Sequence, residues 1–341
     1  MANVVKKAFV KSRRKVFNDV TISVSELSER MDKHIDAVHE EIHNTQLQIN
    51  HNQMMIFDEL NKRVKNSGTV YLNETEIIAK IFSGLKMYLD PRDIAVVPHI
   101  ALDAIWEHRI TSAWLATVKE TDTVIDIGAN FGYFGALAAQ KTDKKKSKVI
   151  FFEANPHLIP YMKKTLSVNW LNEQSVIENL AVSDKAGEVV LNLLKDYIGS
   201  SSIQTAEQLD KYMHNKMYLE TQEKIPVKAV ALDDYCKEHD IKTVDLIKMD
   251  IEGYEAQAYQ GMRKIIKASP AVTLFVEFTK DGYDNPREFY EQMQADFDYV
   301  YVIDDEGYIT KPKDSSYEAV VGDADDWVMP IFSKKDNLAN R

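Results

Sequence analysis

Val124-Ile125-Asp126-Ile127-Gly128-Ala129-Asn130-Phe131-Gly132 is an apolar stretch that runs into a glycine turn. Thr123 to Ile127 has the composition of a short buried strand, and the alanine-rich segment from Phe131 to Gln140 predicts a helix. Gly128 permits a tight turn at which a ligand can approach the backbone. A strand, a turn and a helix in this order are the first unit of an α/β fold.

The same alternation continues along the chain on both sides of a second helix, Pro156 to Val168. Further strands are predicted at Lys148 to Glu153, Val176 to Val182, Val244 to Asp250 and Ala271 to Glu277. Near the end, Tyr299 to Ile303 and Tyr308-Ile309 read as a hairpin, and Trp327 to Phe332 as a last, antiparallel strand. The pattern predicts a mostly parallel sheet with helices on both faces.

Two carboxylates follow the first two predicted strands. Asp126 lies at the first strand end, and Glu153 comes twenty-one residues after Gly132 at the second. Ligands of open α/β sheets bind at the carboxyl ends of the strands, where such a glutamate can accept both ribose hydroxyls of a nucleoside. Either side chain alone is also compatible with a plain turn or a solvated surface residue.

A dinucleotide dehydrogenase is the obvious alternative, because its fingerprint also places glycines in this turn. Here Asn130 occupies the position of the second glycine, and Tyr133 that of the third. Asp126 would repel a pyrophosphate but suits a cation. S-adenosylmethionine carries a sulfonium and an amino group, so the segment favours this cofactor.

The chain resembles the FkbM-type methyltransferases over roughly Tyr71 to Phe332. The pieces that carry the resemblance are Asp126-Ile-Gly-Ala-Asn-Phe-Gly132, Phe152-Glu-Ala-Asn-Pro156, Asn179-Leu-Ala-Val-Ser-Asp184 and Ile247-Lys-Met-Asp-Ile-Glu-Gly-Tyr-Glu255. The resemblance implies a seven-stranded Rossmann-like class I methyltransferase sheet with an antiparallel last strand. It also implies O-methylation of a sugar, a polysaccharide or another small molecule.

The resemblance further implies a cofactor-binding set. Asp126, Gly128 and Asn130 would line the amino-acid end of S-adenosylmethionine, Glu153 its ribose, and Glu107, beside Trp106, its methionine side. The adenine would be flanked by Ser183 and Asp184, or by the adjacent backbone of Ala181 and Val182. The set is completed by Ala129, Gly132, Ala154 and Asp250.

Lys248, Asp250, Glu252 and Glu277 are the candidate catalytic residues. A hydroxyl acceptor needs a base or a metal, and a cluster of acids at low dielectric raises at least one pKa, which suits a base. Asp250, Glu252 and Glu277 could hold a divalent cation such as Mg²⁺ or bind acceptor hydroxyls. The alternative for Lys248 is a structural ion pair with Asp250 or Glu277.

Four regions are predicted: a basic amphipathic segment over 1–20, a coiled-coil helix over 21–66, a preamble over 67–120 and the methyltransferase domain over 121–335. Isoleucine recurs every seven residues from Ile35 to Ile56, which predicts a homo-oligomer, although a helix packed on its own domain has the same pattern. The basic residues of 1–17 suit peripheral contact with a membrane or a solvated terminus.

A net charge of -11 argues against nucleic acid as a partner. The single cysteine, the absence of a long apolar run and the lack of a secretory signal predict a cytoplasmic protein, at most peripheral at the inner membrane face. Two other functions stay open: a protein methyltransferase, and a coiled-coil scaffold with an inactive domain. The polar segment from Asp196 to Glu223 is either a lid over the acceptor or a surface insertion.

Overall fold

A computed structural model describes Val38 and residues 68–194, 197–203, 221–322 and 327–338. The chain divides into two compact units, Met1–Leu60 and Asn61–Arg341, and the described strands all belong to the second. The predicted basic segment and, apart from Val38, the predicted coiled coil lie outside the described residues.

Eight strands form the main sheet: β4 Thr123–Ile127, β5 Lys148–Phe152, β6 Ser175–Glu178, β11 Leu246–Met249, β12 Thr273–Val276, β13 Tyr299–Ile303, β14 Ile309–Thr310 and β15 Ile331–Ser333. Their order across the sheet is β14-β13-β15-β12-β11-β4-β5-β6. Strands β4, β5, β6, β11 and β12 run parallel, whereas β15 runs antiparallel to both β12 and β13. The antiparallel last strand is therefore confirmed.

The main sheet has eight strands, one more than the seven expected from the sequence. The eighth strand, β14, pairs with β13 as the hairpin that the sequence predicts around Gly307. It extends the sheet at one edge and leaves the order of the other seven strands unchanged.

Eight α-helices are described in the parts of the chain given above. They are α1 Val97–Asp103, α2 His108–Thr117, α3 Tyr133–Lys141, α4 Ile159–Val168, α5 Leu232–Glu238, α6 Glu255–Gln260, α7 Arg263–Ala268 and α8 Pro286–Asp296, with a 3₁₀ turn at Lys280–Gly282 and a π-helical turn at Glu318–Gly322. The two helices predicted from sequence, α3 and α4, begin two or three residues later than expected, because turns occupy the positions directly after β4 and β5. None of the helices described is long and apolar enough to cross a membrane.

Two smaller sheets flank the main one. The first has the order β1-β2-β3 (Val70–Asn73, Glu76–Lys80, Lys86–Leu89), and the second has the order β7-β10-β8-β9 (Ala181–Val182, Thr221–Val230, Gly187–Leu194, Tyr197–Ser202). The single strand predicted from Val176 to Val182 is wrong: β6 joins the main sheet and β7 pairs with β10. The side-chain amide of Asn179 lies at the break and donates to the backbone oxygens of Glu153 and Ala154.

The predicted lid from Asp196 to Glu223 is in part a strand region. Its two ends hold β9 and the start of β10, and residues 204–220 lie outside the described part of the chain. A lid formed by that remainder stays a prediction.

The order of the main sheet determines where a ligand can bind. From β4 the chain proceeds to β5 on one side, whereas the other neighbour of β4 is β11, more than a hundred residues later. Such a switch point leaves a crevice at the carboxyl ends of the two strands, between helices that diverge to opposite faces. Asp126 is the penultimate residue of β4 and Asp250 follows β11, so both lie at this crevice.

Candidate active site

Asp126 and Lys248 lie side by side on β4 and β11, as Cα partners of the parallel register. Both are buried, with 1% and 2% of their surfaces exposed. The backbone N–H of Gly135 donates to Oδ2 of Asp126 at 2.8 Å. Oδ1 has no hydrogen-bond partner within the described residues. Burial raises the pKa of Asp126 to about 6, against the opposing effects of Lys248 and the Gly135 amide.

Lys248 is the cation around which the carboxylates gather. Its Nζ donates to Oδ2 of Asp250 at 2.6 Å and lies 4.5 Å from the centre of the Phe134 ring. Its buried ammonium has a raised pKa: burial acts to lower it, but the charges of Asp250, Glu107 and Asp126 outweigh that effect. The ion pair that the sequence left as an alternative is therefore present.

Glu107 reaches the same cluster from the residue just before α2. Its backbone has a left-handed conformation, with φ 43° and ψ 64°. Its Oε2 is buried without a hydrogen-bond partner among the described residues. Burial raises the pKa of Glu107 to about 7, and the nearby charges are those of Lys248 and Asp250. The structure thus brings Glu107, far away in sequence, to the end of β11.

Gly128 explains how the first turn fits against the end of β11. Its φ is 78°, and a Cβ built there would lie 1.8 Å from the backbone oxygen of Asp250. The N–H of Asp250 in turn donates to the carbonyl of Ile127 at 3.1 Å. Only a glycine allows the two strand ends to approach this closely. The next helix, α3, then starts directly after Gly132.

Glu153 is held under the glycine turn. Its Oε2 accepts from the backbone N–H of Asn130, and its Oε1 accepts from that of Asn155, both at 2.7 Å. The residue is 7% exposed, and burial raises its pKa to about 7 in spite of these two donors. Each carboxylate oxygen can accept more than one hydrogen bond, so ribose hydroxyls can still bind here.

Asp250 also shares a hydrogen bond with Glu277, which follows β12. Burial and the charges of Asp250, Glu252 and Glu255 raise the pKa of Glu277 well above its usual range. Two ionised carboxylates cannot hydrogen-bond to each other, so this contact needs a proton, and the raised pKa of Glu277 places that proton on Glu277. The Asp250 side chain is 24% exposed, so part of it can be reached from the crevice.

The expected divalent cation finds no support at these carboxylates. The described residues contain no group of three or more His, Cys, Asp or Glu side chains arranged to hold a metal ion. One oxygen of Asp250 already contacts the ammonium of Lys248, which supplies the positive charge that a metal would bring.

The loop after β11 is secured by two residues that the sequence analysis did not select. Oε1 of buried Glu255 accepts from the N–H of Ile251 at 2.9 Å and from that of Gly253 at 3.3 Å. Its Oε2 accepts from the hydroxyl of Tyr283 at 2.9 Å. Glu252, between Ile251 and Gly253, has φ 56°, a conformation that is uncommon outside glycine. Glu255 was in the quoted motif, whereas nothing in the sequence marked Tyr283.

The residues expected to flank the adenine lie near the same loop, which they contact through Tyr254. Ser183 follows the buried strand β7, formed by Ala181 and Val182, and its Oγ lies 3.1 Å from the hydroxyl of Tyr254. Ala154 packs against the apolar cluster that contains Ala181. Tyr254 therefore links the adenine side to the loop that carries Asp250 and Glu252.

A cleft of about 270 Å³ opens beside this loop. Aromatic and amide side chains dominate its lining, and Lys and Arg are absent from the described residues that form it. The aromatic and amide side chains of the lining include Tyr254, Tyr283, Phe289, Gln257, Gln260 and Gln292.

Residues 126–308 match the family model described as the methyltransferase FkbM domain. A curated relative, methyltransferase sdnD of Sordaria araneosa, is 23% identical over 165 residues. That match covers 43% of this chain and 63% of the relative, so the chain spans less than two thirds of the relative's length.

Two solved structures are similar at low identity. The FkbM methyltransferase of Methylobacillus flagellatus KT matches with a TM-score of 0.37 and 14% identity, over 63% of this chain and 44% of that one. The M. jannaschii TYW2 in complex with AdoMet matches with a TM-score of 0.38 and 17% identity, over 77% of this chain and 87% of that one.

Proposed function

This chain belongs to the FkbM methyltransferase family, and from that premise we propose that it transfers a methyl group from S-adenosylmethionine to a hydroxyl group of a sugar, a polysaccharide or another small molecule. The observation that carries the proposal is the carboxylate of Asp126, buried at the end of β4 with one oxygen that lacks a partner among the described residues. A ligand that brings a cation or an N–H donor would satisfy that oxygen.

The charges around Asp126 favour the same ligand. Lys248 interacts with three carboxylates, Glu107, Asp126 and Asp250, and so leaves the cluster with an excess of negative charge. A buried excess of this kind is unfavourable until protons or a bound cation offset it. A pyrophosphate would add to the excess, whereas a sulfonium with a protonated amino group would reduce it.

The residues suit methyl transfer by alignment and proton removal. When bound, S-adenosylmethionine would supply an electrophilic methyl group, so the protein has to orient the acceptor and take its proton. We assign that role to Asp250, whose side chain is 24% exposed and is oriented by the ammonium of Lys248. The acceptor oxygen would bond to the methyl carbon as the methyl–sulfur bond breaks and the neutral thioether leaves. Asp250 would take the proton of the acceptor hydroxyl and later release it to water.

The cleft beside the loop supports a neutral, hydroxyl-rich acceptor. Amide side chains such as Gln257 and Gln292 both donate and accept hydrogen bonds, and aromatic faces such as that of Tyr283 pack on apolar ring faces. The described lining carries Asp284 and Glu288 but neither Lys nor Arg, so it would repel a phosphorylated acceptor, whereas the two carboxylates can accept from acceptor hydroxyls.

The test of cofactor class is calorimetric titration of the full chain with S-adenosylmethionine and with NAD. Binding of the first and not of the second is expected. Asp126→Asn should weaken that binding at least tenfold, since a hydrogen bond to a charged group contributes about 1.5–3 kcal/mol. Asp122→Asn is the matched control, because Asp122 is also buried but precedes β4 at the opposite edge of the sheet. Equal affinity for the two cofactors, or equal loss in both variants, would refute the proposal.

Acceptor class needs a separate measurement. Transfer of a labelled methyl group to neutral glycans, to phosphorylated sugars and to proteins, each with the wild-type chain and Asp250→Asn, separates the three classes. Labelled neutral glycan, with the label stable to mild alkali as an ether is, supports the proposal. Label on protein alone would favour a protein methyltransferase, and tight binding without transfer to any acceptor would favour an inactive scaffold.

A further inference from the structure

The edge of the sheet opposite the candidate active site carries a second cavity, of about 810 Å³. Helices α3 and α4 begin at the carboxyl edge of the sheet and end beside this cavity, near Thr142 and Asn169. Its lining includes Lys86, Lys144, Lys145, Trp170 and Gln174, which together we call the basic edge.

Trp170 is displayed at an unfavourable position. It is 86% exposed, and its φ of 59° is a genuine outlier for a bulky side chain. The preceding residue secures this turn: the Asn169 side chain accepts from the N–H of Lys86 at 3.0 Å and donates to its carbonyl at 2.7 Å. These two hydrogen bonds fix the turn to β3 in a conformation that exposes the Trp170 indole to solvent.

Gln174 supplies an independent sign of a ligand. The residue is 5% exposed, and its Nε2 donates to the carbonyl of Ala139 at 2.8 Å. Its Oε1 is buried in the lining without a hydrogen-bond partner among the described residues. A buried acceptor in that state is costly unless something brings it a donor.

The lysines give the edge a charge opposite to that of the whole chain. The net charge of the protein is -11, whereas Lys144, Lys145 and Lys146 form an exposed run here, with Lys86 across the cavity. Glu173 lies 3.2 Å from Lys144, and Asp143 lies 3.8 Å from Lys146, so the lysines still outnumber the acids. Lysines also suit the ends of helices, but that role accounts for neither Trp170 nor Gln174.

We propose that the basic edge docks on an anionic phospholipid surface. The lysines face the lipid phosphates, and Trp170 enters the interfacial layer that tryptophan favours. A shift of the Gln174 side chain toward the cavity lets its Oε1 accept from a headgroup hydroxyl. Because the mouth of the cavity is formed by exposed residues, a flat surface can reach it, and the cofactor crevice at the opposite edge stays accessible. This inference does not depend on the proposed methyl transfer.

The test is co-sedimentation of the full chain with phosphatidylcholine vesicles, with and without phosphatidylglycerol. Binding should require phosphatidylglycerol. Each lysine near such a surface contributes about fivefold, so a triple change to glutamine should weaken binding at least tenfold, and Trp170→Ala should weaken it as well. The triple variant is Lys86→Gln/Lys144→Gln/Lys145→Gln, and its matched control is Lys237→Gln/Lys242→Gln/Lys264→Gln, at exposed lysines of the α5–α7 region.

Several results would overturn the proposal. One is equal binding by the triple variant and its control, which would locate the contact in other basic residues of the chain, such as those of 1–17. Others are binding to phosphatidylcholine alone, and displacement from the vesicles by free glycerol phosphate, which would make the cavity a site for a soluble anion. Trp170→Ala changes an exposed side chain, so it stays informative if the triple variant does not fold.

Discussion

Nζ of Lys248 lies 2.6 Å from Oδ2 of Asp250, with the ammonium 2% exposed and the carboxylate 24% exposed. The two residues are neighbours on one side of β11, so the pair points one charge into the sheet and the other toward the crevice. Such a pair can orient the carboxylate toward the crevice.

Lys248→Met should destabilise the fold by about 3–5 kcal/mol, because it leaves buried Asp126 and Glu107 without their cation. Urea unfolding followed by tryptophan fluorescence measures the loss. Lys264→Met, at an exposed position of α7, should stay within about 0.5 kcal/mol of the wild type. If both variants unfold at the same urea concentration, Lys248 does not compensate the cluster.

Gly128→Ala should abolish cofactor binding and destabilise the domain, since its Cβ would overlap the backbone oxygen of Asp250 at 1.8 Å. The matched control is Gly84→Ala. Gly84 also has a positive φ, 89°, but no heavy atom lies within 4 Å of its added Cβ. The control should lose about 1–2 kcal/mol of stability and keep its cofactor affinity. Equal effects of the two changes would mean that the close approach has no role.

Affinity for S-adenosylmethionine should rise with pH from about pH 5.5 to 7.5. This range lies below the usual pKa of an α-amino group, so the amino group of the ligand keeps its charge. Burial raises the pKa of Asp126 to about 6 and that of Glu107 to about 7 in the free protein. A bound cation favours the ionised carboxylates, so binding releases protons and weakens as pH falls through these values. Calorimetry in buffers of different ionisation enthalpy measures the release, and a pH-independent affinity would contradict this interpretation.

Tyr283→Phe should lower kcat about tenfold while the affinity for the cofactor changes little. The tyrosine hydroxyl donates to Glu255, which holds the amides of the loop that presents Asp250. Loosening that loop misplaces the base without removing it, and small misplacements slow catalysis strongly. Tyr290→Phe is the control: its hydroxyl donates to the carbonyl of Ser315, outside the loop. A parallel loss in the control would point to general destabilisation.

Light scattering should give the full chain a molar mass at least twice that of one subunit. Charges at the heptad core should reduce it, because they cannot be buried between helices. The variant is Ile35→Glu/Ile42→Glu/Ile49→Glu, and the control with equal added charge at solvated heptad positions is Ala37→Glu/Asn44→Glu/His51→Glu. A monomeric wild type, or an unchanged mass in the core variant, would refute self-association through 21–66.

Much of the main sheet could be predicted from local pattern. Each parallel strand, such as β4 or β11, is a short apolar run followed by a polar turn, and this order leads to one carboxyl edge. The sequence therefore places Asp126 and Asp250 at the same edge of the sheet. Strand β14 was missed in the count, although its hairpin was recognised, because a hairpin pattern does not tell whether it joins an existing sheet.

The second sheet could not be predicted in the same way. Its longest ladder joins β8 to β10, strands that are separated by more than twenty residues and have weak patterns of their own. Pairing over such a distance depends on contacts that no local window contains. For the same reason no local pattern marked Tyr283, and none explained the role of Glu107. The residues that these two side chains interact with lie elsewhere in the chain.

By itself, the sequence determined the class of the fold, the turn at Gly128 and the carboxylates that follow the strands, because strand period and turn chemistry act between near neighbours. The tertiary structure alone decided that Lys248 is buried among Glu107, Asp126 and Asp250, that Asp250 shares a hydrogen bond with Glu277, and that Tyr283 secures the loop. These relations arise where strands from distant parts of the chain pack side by side, and burial then sets the charges and pKa values that the chemistry requires.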